Sequence, residues 1–309
     1  MQFNIVTPVL NGEQFINETI LSVVTQAGPF SVRYHLQDGG STDSTIKLLA
    51  AWQARLANDF PINCKGIEFS FVSEGDRGLY DAVNRGFAAC GNADAMSWIN
   101  ADDRLEPGAL ATVARVFETN PDVDWVTGRP TVIAEGGEVL HMSPIIAFPR
   151  KAVAAGIFDG RFARPFIQQE GTFWRPKLWD EVGGLNAKFR LAGDFDLWRR
   201  FAKRADLVII DAILGCFRMR SGQLSENRVS YHAEIDASMQ PAEKELRSRA
   251  SRLYRARRFS YPVIFWRDGR WMRECWPMAV MPCFGGKGFG MEHWRLRISG
   301  LLFGGGLPD

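Results

Sequence analysis

Short apolar runs alternate with segments of helical period through the first half of the chain, and this alternation limits the fold more than any other feature. Residues 3–9 read as a strand, and in 13–26 Ile16, Ile20, Val23 and Val24 recur at the spacing of one helix face. Residues 32–36, 67–72, 96–99 and 123–127 supply further strands, with helices expected over 42–57, 80–90 and 107–118. Strand–helix repeats of this kind form a parallel, doubly wound α/β sheet. The second half is less regular. It is expected to hold a hairpin over 131–142, helices over 176–182 and 194–203, a strand over 207–217 and one charged helix over 234–258.

The charge balance marks a boundary. The net charge of +2 hides 14 Lys/Arg against 8 Asp/Glu from Arg228 onward, where four of the ten tryptophans also fall. The expected organisation is a catalytic domain over 1–227, with a nucleotide-binding half (1–130) and an acceptor-binding half (131–227), followed by a helical, basic, Trp-rich extension over 228–309. Glycine-rich stretches at 285–290 and 304–306 read as flexible. The N-terminus enters the first strand with no basic or apolar leader, and no run nears the ~18 apolar residues of a membrane span. Five cysteines, odd in number and never spaced C-x-x-C, argue against a disulfide framework and a zinc site. The expected setting is the cytoplasm.

In open α/β sheets ligands bind outside the carboxyl ends of the strands, and there the polar clusters fall. They are Thr7-Pro8-Val9-Leu10-Asn11-Gly12, the stretch from Asp38 to Thr45, the stretch from Glu74 to Asp81, and Asn100-Ala101-Asp102-Asp103. Four in register imply one polar crevice. Ser41-Thr42 with Asp43 reads as a helix cap. Asp38, before two glycines, can accept from the N–H donors of a base or the hydroxyls of a ribose. Arg77, among Glu74, Asp76 and Gly78, reads alone as a surface ion pair, and beside an anion-binding crevice as a ligand contact.

The run Met96-Ser97-Trp98-Ile99 leads straight into Asn100, Asp102 and Asp103. Adjacent carboxylates stay ionised most easily beside a cation, and hard divalent ions take one or two carboxylates plus substrate phosphates. Capping of the next helix would explain Asp102-Asp103 as a bare pair. Asn100 and Asp102, however, lie on one side of an extended chain, where it meets the crevice. The expected cation is Mn²⁺ or Mg²⁺ holding a diphosphate.

With these motifs the sequence resembles the inverting nucleotide-sugar glycosyltransferases of family two, which have the Rossmann-like GT-A fold. The resemblance covers roughly residues 3–225 and rests on T-P-V-L-N, D-G-G-S-T-D-S-T, E-G-D-R-G-L-Y-D-A-V-N-R-G and W-I-N-A-D-D. Q-Q-E-G-T-F-W-R, A-G-D-F-D-L-W-R-R-F and, more loosely, F-R-M-R-S-G-Q-L-S extend it. It implies that Thr7, Pro8 and Asn11 dock the donor nucleotide, that Asp38 binds the base, commonly uracil, and that Arg77 lies near base or diphosphate. Asn100 to Asp103 matches the D-x-D metal motif with Asn for its first carboxylate, leaving open which of Asp102 and Asp103 touches the metal. Gly193 stands where the family has Glu before its catalytic Asp, which makes Asp194 the candidate general base.

The residues themselves agree with that role. Asp194 and Asp196 open a helix, where acidic side chains are favoured, and Asp194 follows the small Gly193. Inverting transfer needs one base to deprotonate the acceptor hydroxyl, and a metal to stabilise the leaving diphosphate. Glu170 binds acceptor or donor sugar, or only satisfies a neighbour, and Trp174 is a candidate acceptor platform. The expected function is transfer of a sugar from a UDP or dTDP donor to a saccharide or lipid-linked saccharide, in bacterial surface polysaccharide synthesis. Arg255, Arg257, Arg258, Arg267, Arg270 and Arg273 interleave with aromatics, which suits peripheral contact with the inner face of a membrane or a packed helix with a solvated basic face. No nucleic-acid partner is expected, since no recognition motif occurs. A nucleotidyltransferase would want a basic residue in 7–12, and a dehydrogenase a G-x-G-x-x-G after the first strand; neither is there. A non-catalytic homologue that binds nucleotide or glycan is the remaining alternative.

Overall fold

The computed structural model describes residues 1–161 and 164–278. In chain order its elements begin with β1 (Gln2–Val9), α1 (Ile16–Val24), β2 (Ser31–Asp38), α2 (Thr45–Asn58), β3 (Gly66–Ser73), α3 (Leu79–Ala89) and β4 (Ala95–Trp98). A two-residue β5 (Arg104–Leu105) leads to α4 (Ala109–Thr119), β6 (Trp125–Thr127), β7 (Thr131–Ile133), β8 (Val139–Met142) and α5 (Arg150–Ala154). Next come β9 (Thr172–Trp174), α6 (Pro176–Val182), α7 (Gly193–Ala202), β10 (Leu207–Ile210) and β11 (Gly215–Arg218). The described part of the extension holds α8 (Arg228–Ser238), α9 (Pro241–Arg255), β12 (Ser260–Arg267) and β13 (Arg270–Pro277).

Among the described residues the central sheet has nine strands, in the order β13-β12-β10-β6-β9-β4-β1-β2-β3. Strand β1 sits between β2 and β4 and is buried along nearly all its length, as its almost unbroken apolar run requires. Phe3, Ile5 and Val9 pack with Ile16 and Ile20 of α1 and with Leu110 and Val113 of α4. Val6 joins the other layer, with Val83 of α3 and with Trp198 and Phe201 of α7. A β-carbon on Gly86 would lie 2.5 Å from Val6 Cγ1, so its absence lets α3 sit directly on the sheet.

Two antiparallel insertions shape the crevice. Strand β9 runs against both β4 and β6, so its start lies at their carboxyl ends and brings the preceding Glu170 there. Strand β11 pairs against β5, with Gly215 opposite Leu105 and Cys216 opposite Arg104, in a small sheet ordered β5-β11-β7-β8. That pairing carries residues 218–223 back over the turn that follows β4.

Several expected elements change. The expected strand 207–217 is two, β10 in the large sheet and β11 in the small one. Gly215 makes the crossing feasible, since a β-carbon there would lie 2.2 Å from the Glu170 carbonyl oxygen. The expected helix 234–258 starts earlier and breaks at Gln240-Pro241, where Pro241 opens α9 in a capping box. After these helices the extension turns at Asp268 (φ 50°) and Gly269 (φ 79°) into a hairpin. Its first strand pairs parallel with β10, so the extension continues the central sheet. Residues 285–290, 304–306 and Trp294 lie outside the described residues.

Candidate active site

At the tips of β1, β2 and β3 the polar residues satisfy one another. Asp38 is fully buried. Its Oδ2 accepts from Gly40 N (3.0 Å), Ser41 N (2.9 Å) and Ser73 Oγ (2.6 Å), and its Oδ1 from Ser41 Oγ. Four donors supply this carboxylate, which corrects its expected role as a base contact: Asp38 orders the β2 loop from beneath. Thr7 is buried with its hydroxyl 3.0 Å from Tyr34 Oη inside the core, and Pro8 is buried beside it. Asn11 does reach the surface. It takes a left-handed φ of 53°, accepts from Thr42 N at 2.9 Å and donates its own N–H to Ser41 Oγ at 2.7 Å, tying the β1 loop to the β2 loop. The carboxylate nearer the surface here is Asp76, whose Oδ2 lies 2.7 Å from where a Gly39 β-carbon would be. Arg77 is exposed and held by Asp81 Oδ1 at 2.6 Å.

At the tip of β4 the carboxylates are crowded instead. Arg220 Nε donates to Asp102 Oδ2 at 2.8 Å, so one cation beside this pair belongs to the chain itself. Beneath, Arg218 is almost wholly buried. It donates from Nε to the Asp102 carbonyl (2.7 Å), from Nη1 to the Glu135 carbonyl (2.6 Å) and from its backbone N to Asp103 Oδ1 (2.8 Å), and it pairs with Glu18. Asp103 also accepts from Asn100 Nδ2 at 3.1 Å and is buried. The two aspartates therefore differ: Asp103 braces the turn, and Asp102 is the one part-exposed toward the crevice. This corrects the pairing of both as metal ligands.

Glu170 is buried against Asp103. Burial pushes the Asp103 carboxyl well above the usual range, and the charges of Glu170 and Asp102 add to it. Burial also pushes Glu170 up to about 7, with Asp194 and Asp102 adding to the rise. Two carboxyls in one dry site cannot both ionise cheaply, so burial and mutual repulsion favour the protonated form of this pair. Glu170 Oε2 and Asn100 Oδ1 are buried with no hydrogen-bond partner among the described residues. Buried polar atoms are nearly always paired, and two orphans in one place leave the floor of this end of the crevice short of donors or cations.

Asp194 lies in the first turn of α7, half-buried. Burial pushes its carboxyl up to about 6, against the pull of the backbone N–H groups of Phe195 and Asp194 and of the Tyr80 hydroxyl. That hydroxyl is 3.5 Å from Asp194 Oδ1 and donates to the Leu191 carbonyl at 2.7 Å. The Tyr80 ring fills the space a Gly193 side chain would need, 2.6 Å from its β-carbon position. Asp196 pairs with Arg200 at 2.8 Å on the same helix, a structural role. Glu170 feels the charges of both Asp102 and Asp194, so one end of the crevice gathers all three.

The glycosyl transferase family 2 model matches residues 4–190, more than half of the chain and the carboxyl ends of the crevice strands β1 to β4. The chain belongs to this family of glycosyltransferases. Its fold is the GT-A fold, shared with solved glycosyltransferases. S. aureus TarS 1-349 in complex with UDP-GlcNAc superposes with a TM-score of 0.58 at 14% identity, over 82% of this chain and 73% of that one. The mannosyltransferase PcManGT from Pyrobaculum calidifontis, in complex with GDP-Man and Mn²⁺, gives 0.54 at 16%, over 81% and 69%. No curated protein matches.

Within this glycosyltransferase, Trp174 is corrected: it is fully buried, stacked on Trp179 and edge-on to Trp98, and has no surface for an acceptor. Tyr80, Arg218, Arg220 and Glu234 carry no expected role in the sequence. The arginines stood in the loosely matched F-R-M-R-S-G-Q-L-S, where two cations on one side of a strand end were the available signal. Among the described residues no helix is long and apolar enough to cross a membrane.

Proposed function

We propose that this glycosyltransferase moves a sugar with inversion from a UDP or dTDP donor to a hydroxyl of a saccharide or lipid-linked saccharide, with Asp194 as general base. The observation that carries the reading is the gathering of Asp102, Glu170 and Asp194 at one end of the crevice, with Asp194 raised to about 6 at a helix start. A carboxylate near 6 is ionised at neutral pH yet a stronger base than a solvated aspartate. Asp194 takes the acceptor proton as the acceptor oxygen bonds to the anomeric carbon. The bond from that carbon to the diphosphate oxygen breaks on the opposite face, and the configuration inverts.

The residues fit a hard divalent cation. Among the described residues, the unpartnered atoms at this end, Asn100 Oδ1 and Glu170 Oε2, are oxygens, and the Asp102 carboxylate accepts from Arg220 and Gln223. Among the described residues no group of three or more His, Cys, Asp or Glu could hold a metal. Asp102 would therefore hold Mn²⁺ or Mg²⁺ together with phosphate oxygens and water. An ion held there would supply positive charge to stabilise a departing diphosphate. Arg220, already on Asp102, adds a second positive charge on the same side. For the base, Asp76 is the carboxylate open to the N3–H of uracil or thymine, and the donors held by TarS and PcManGT make a sugar nucleotide the natural substrate class.

Bacterial surface polysaccharide synthesis is the setting that this donor and acceptor chemistry fits. On the extension, Trp266 is 57% exposed between Trp271 and the arginines of the hairpin turn, which supports peripheral contact with an anionic membrane. Calorimetry with UDP, dTDP, GDP and ADP, with Mn²⁺ and with chelator, tests the donor site. UDP or dTDP should bind tightest, and chelation or Asp102→Ala should weaken binding about 10–100-fold. Equal affinity with chelator would remove the metal, and ADP binding tightest would remove the base assignment.

A further inference from the structure

The loop that delivers Asp194 is gripped from the extension. Helix α8 presents Tyr231, Glu234, Ile235 and Ser238 at the i, i+3, i+4, i+7 spacing of one face. On that face Ile235 is buried against Ala192, Phe195 and Met239. Beside it the Glu234 carboxylate accepts three consecutive backbone N–H groups: Oε1 from Arg190 (2.8 Å), Oε2 from Leu191 (2.9 Å) and from Ala192 (2.9 Å). Successive amides converging on one carboxylate form an anion-binding nest, here occupied by a side chain about forty residues downstream. The same peptide is held on its other side, because the Leu191 carbonyl accepts from Tyr80 Oη. Two residues further on stands Asp194.

We propose that Glu234 is a positioning residue of the transferase: its carboxylate fixes the 190–192 turn and so the start of α7, making helix α8 of the extension part of the working site. The proposal rests on the reading of Asp194 as the base. Helix α8 does not depend on Glu234 for its own place. Asp236 on its other side makes a two-point ion pair with Arg161 (2.8 Å each), and His232 Nε2 lies 3.0 Å from the Asp159 carbonyl. A change at Glu234 therefore frees the turn while the helix stays docked. Among the described residues, the ionisable groups that act on or sense Asp194 come from three places: Tyr80 of α3, Glu170 before β9, and Tyr231 of α8.

The test uses the full chain, with Glu234→Gln, Glu234→Ala and, as control, a change at the 83%-exposed Val229 on the same helix, Val229→Ala. Amide hydrogen exchange of the peptide spanning 186–196, which needs no ligand, should quicken in the order parent, Gln, Ala and stay unchanged in the control. Hydrolysis of whichever UDP-, dTDP- or GDP-sugar the parent cleaves fastest should fall about 10–100-fold, as expected for a displaced catalytic group, with donor affinity within twofold. The acid limb of that rate should also move below about 6, because water admitted around the loosened turn returns Asp194 toward an ordinary carboxylate. A purely structural role would lower the melting temperature and leave the limb in place, and that result, or unchanged exchange at 186–196, overturns the proposal. Asp194→Asn is run beside these variants. If it hydrolyses donor as the parent does, the base reading fails and the proposal falls with it; if it is inactive while the Glu234 variants match the parent, the clamp alone is wrong.

Discussion

The two ends of the crevice hold similar residues in opposite states. At the β2 tip Asp38 is buried with four donors on its two oxygens, every one from the adjacent loops or the next strand. At the β4 tip Asp103, Glu170 and Asp194 are held close with fewer donors, and burial drives all three upward. A carboxylate that is fully supplied contributes stability and has little left to offer a ligand. One that is undersupplied costs stability, and its unmet demand is available to a proton or a metal. The difference divides the crevice into a frame and a reacting end.

Breaking the reacting end should change rate, and breaking the frame should change stability. The largest effect is expected from Asp194→Asn, which keeps shape but cannot take a proton. Transfer should fall about 10²–10⁴-fold, while calorimetry shows donor affinity nearly unchanged and melting temperature at or above the parent's. Asp38→Ala should do the reverse. Removing a carboxylate that accepts four hydrogen bonds should cost on the order of 3 kcal/mol, read from urea unfolding, with the residual folded enzyme still turning over. A rate loss without a stability loss at Asp38 would mean that the frame also does chemistry.

A smaller change sharpens the reacting end. Tyr80→Phe keeps the ring against Gly193 and removes the hydroxyl that lies 3.5 Å from Asp194 Oδ1. That hydroxyl favours the ionised carboxylate, so its loss should raise the acid limb of the rate above about 6 and slow turnover at neutral pH by a few-fold. The direction is opposite to that expected for the Glu234 variants. A limb that moves down in Tyr80→Phe would show that the hydroxyl holds the turn through Leu191 rather than tuning the base.

The frame was largely legible in the sequence, and the reacting end only in part. Apolar period and loop chemistry marked β1 to β4 and their intervening helices, because each of those signals is local. Even there Asp38 was misread, since a strand-tip carboxylate looks the same whether its partners are a ligand or Ser41 and Ser73. The reacting end is assembled from distant pieces. Glu170 arrives through an antiparallel strand of three residues, Arg218 and Arg220 through β11, and Glu234 through a helix beyond the expected domain boundary. Period and spacing carry no sign of such contacts. The β12–β13 hairpin did leave one, Asp268-Gly269 between two aromatic runs, and the charge asymmetry around it drew attention to a surface instead.

In the proposed function, Asp194, raised by burial to about 6, is the group whose ionisation switches the reaction on. A raised carboxyl is protonated and inactive below its pKa, so activity should be lost as pH falls. The decisive measurement is the pH dependence of turnover at saturating donor, for the parent and for Asp194→Asn. The parent should show a limb near 6, tenfold per pH unit below it, and Asp194→Asn a low, flat profile. A limb near 7 that survives in Asp194→Asn would contradict it and transfer the role to Glu170.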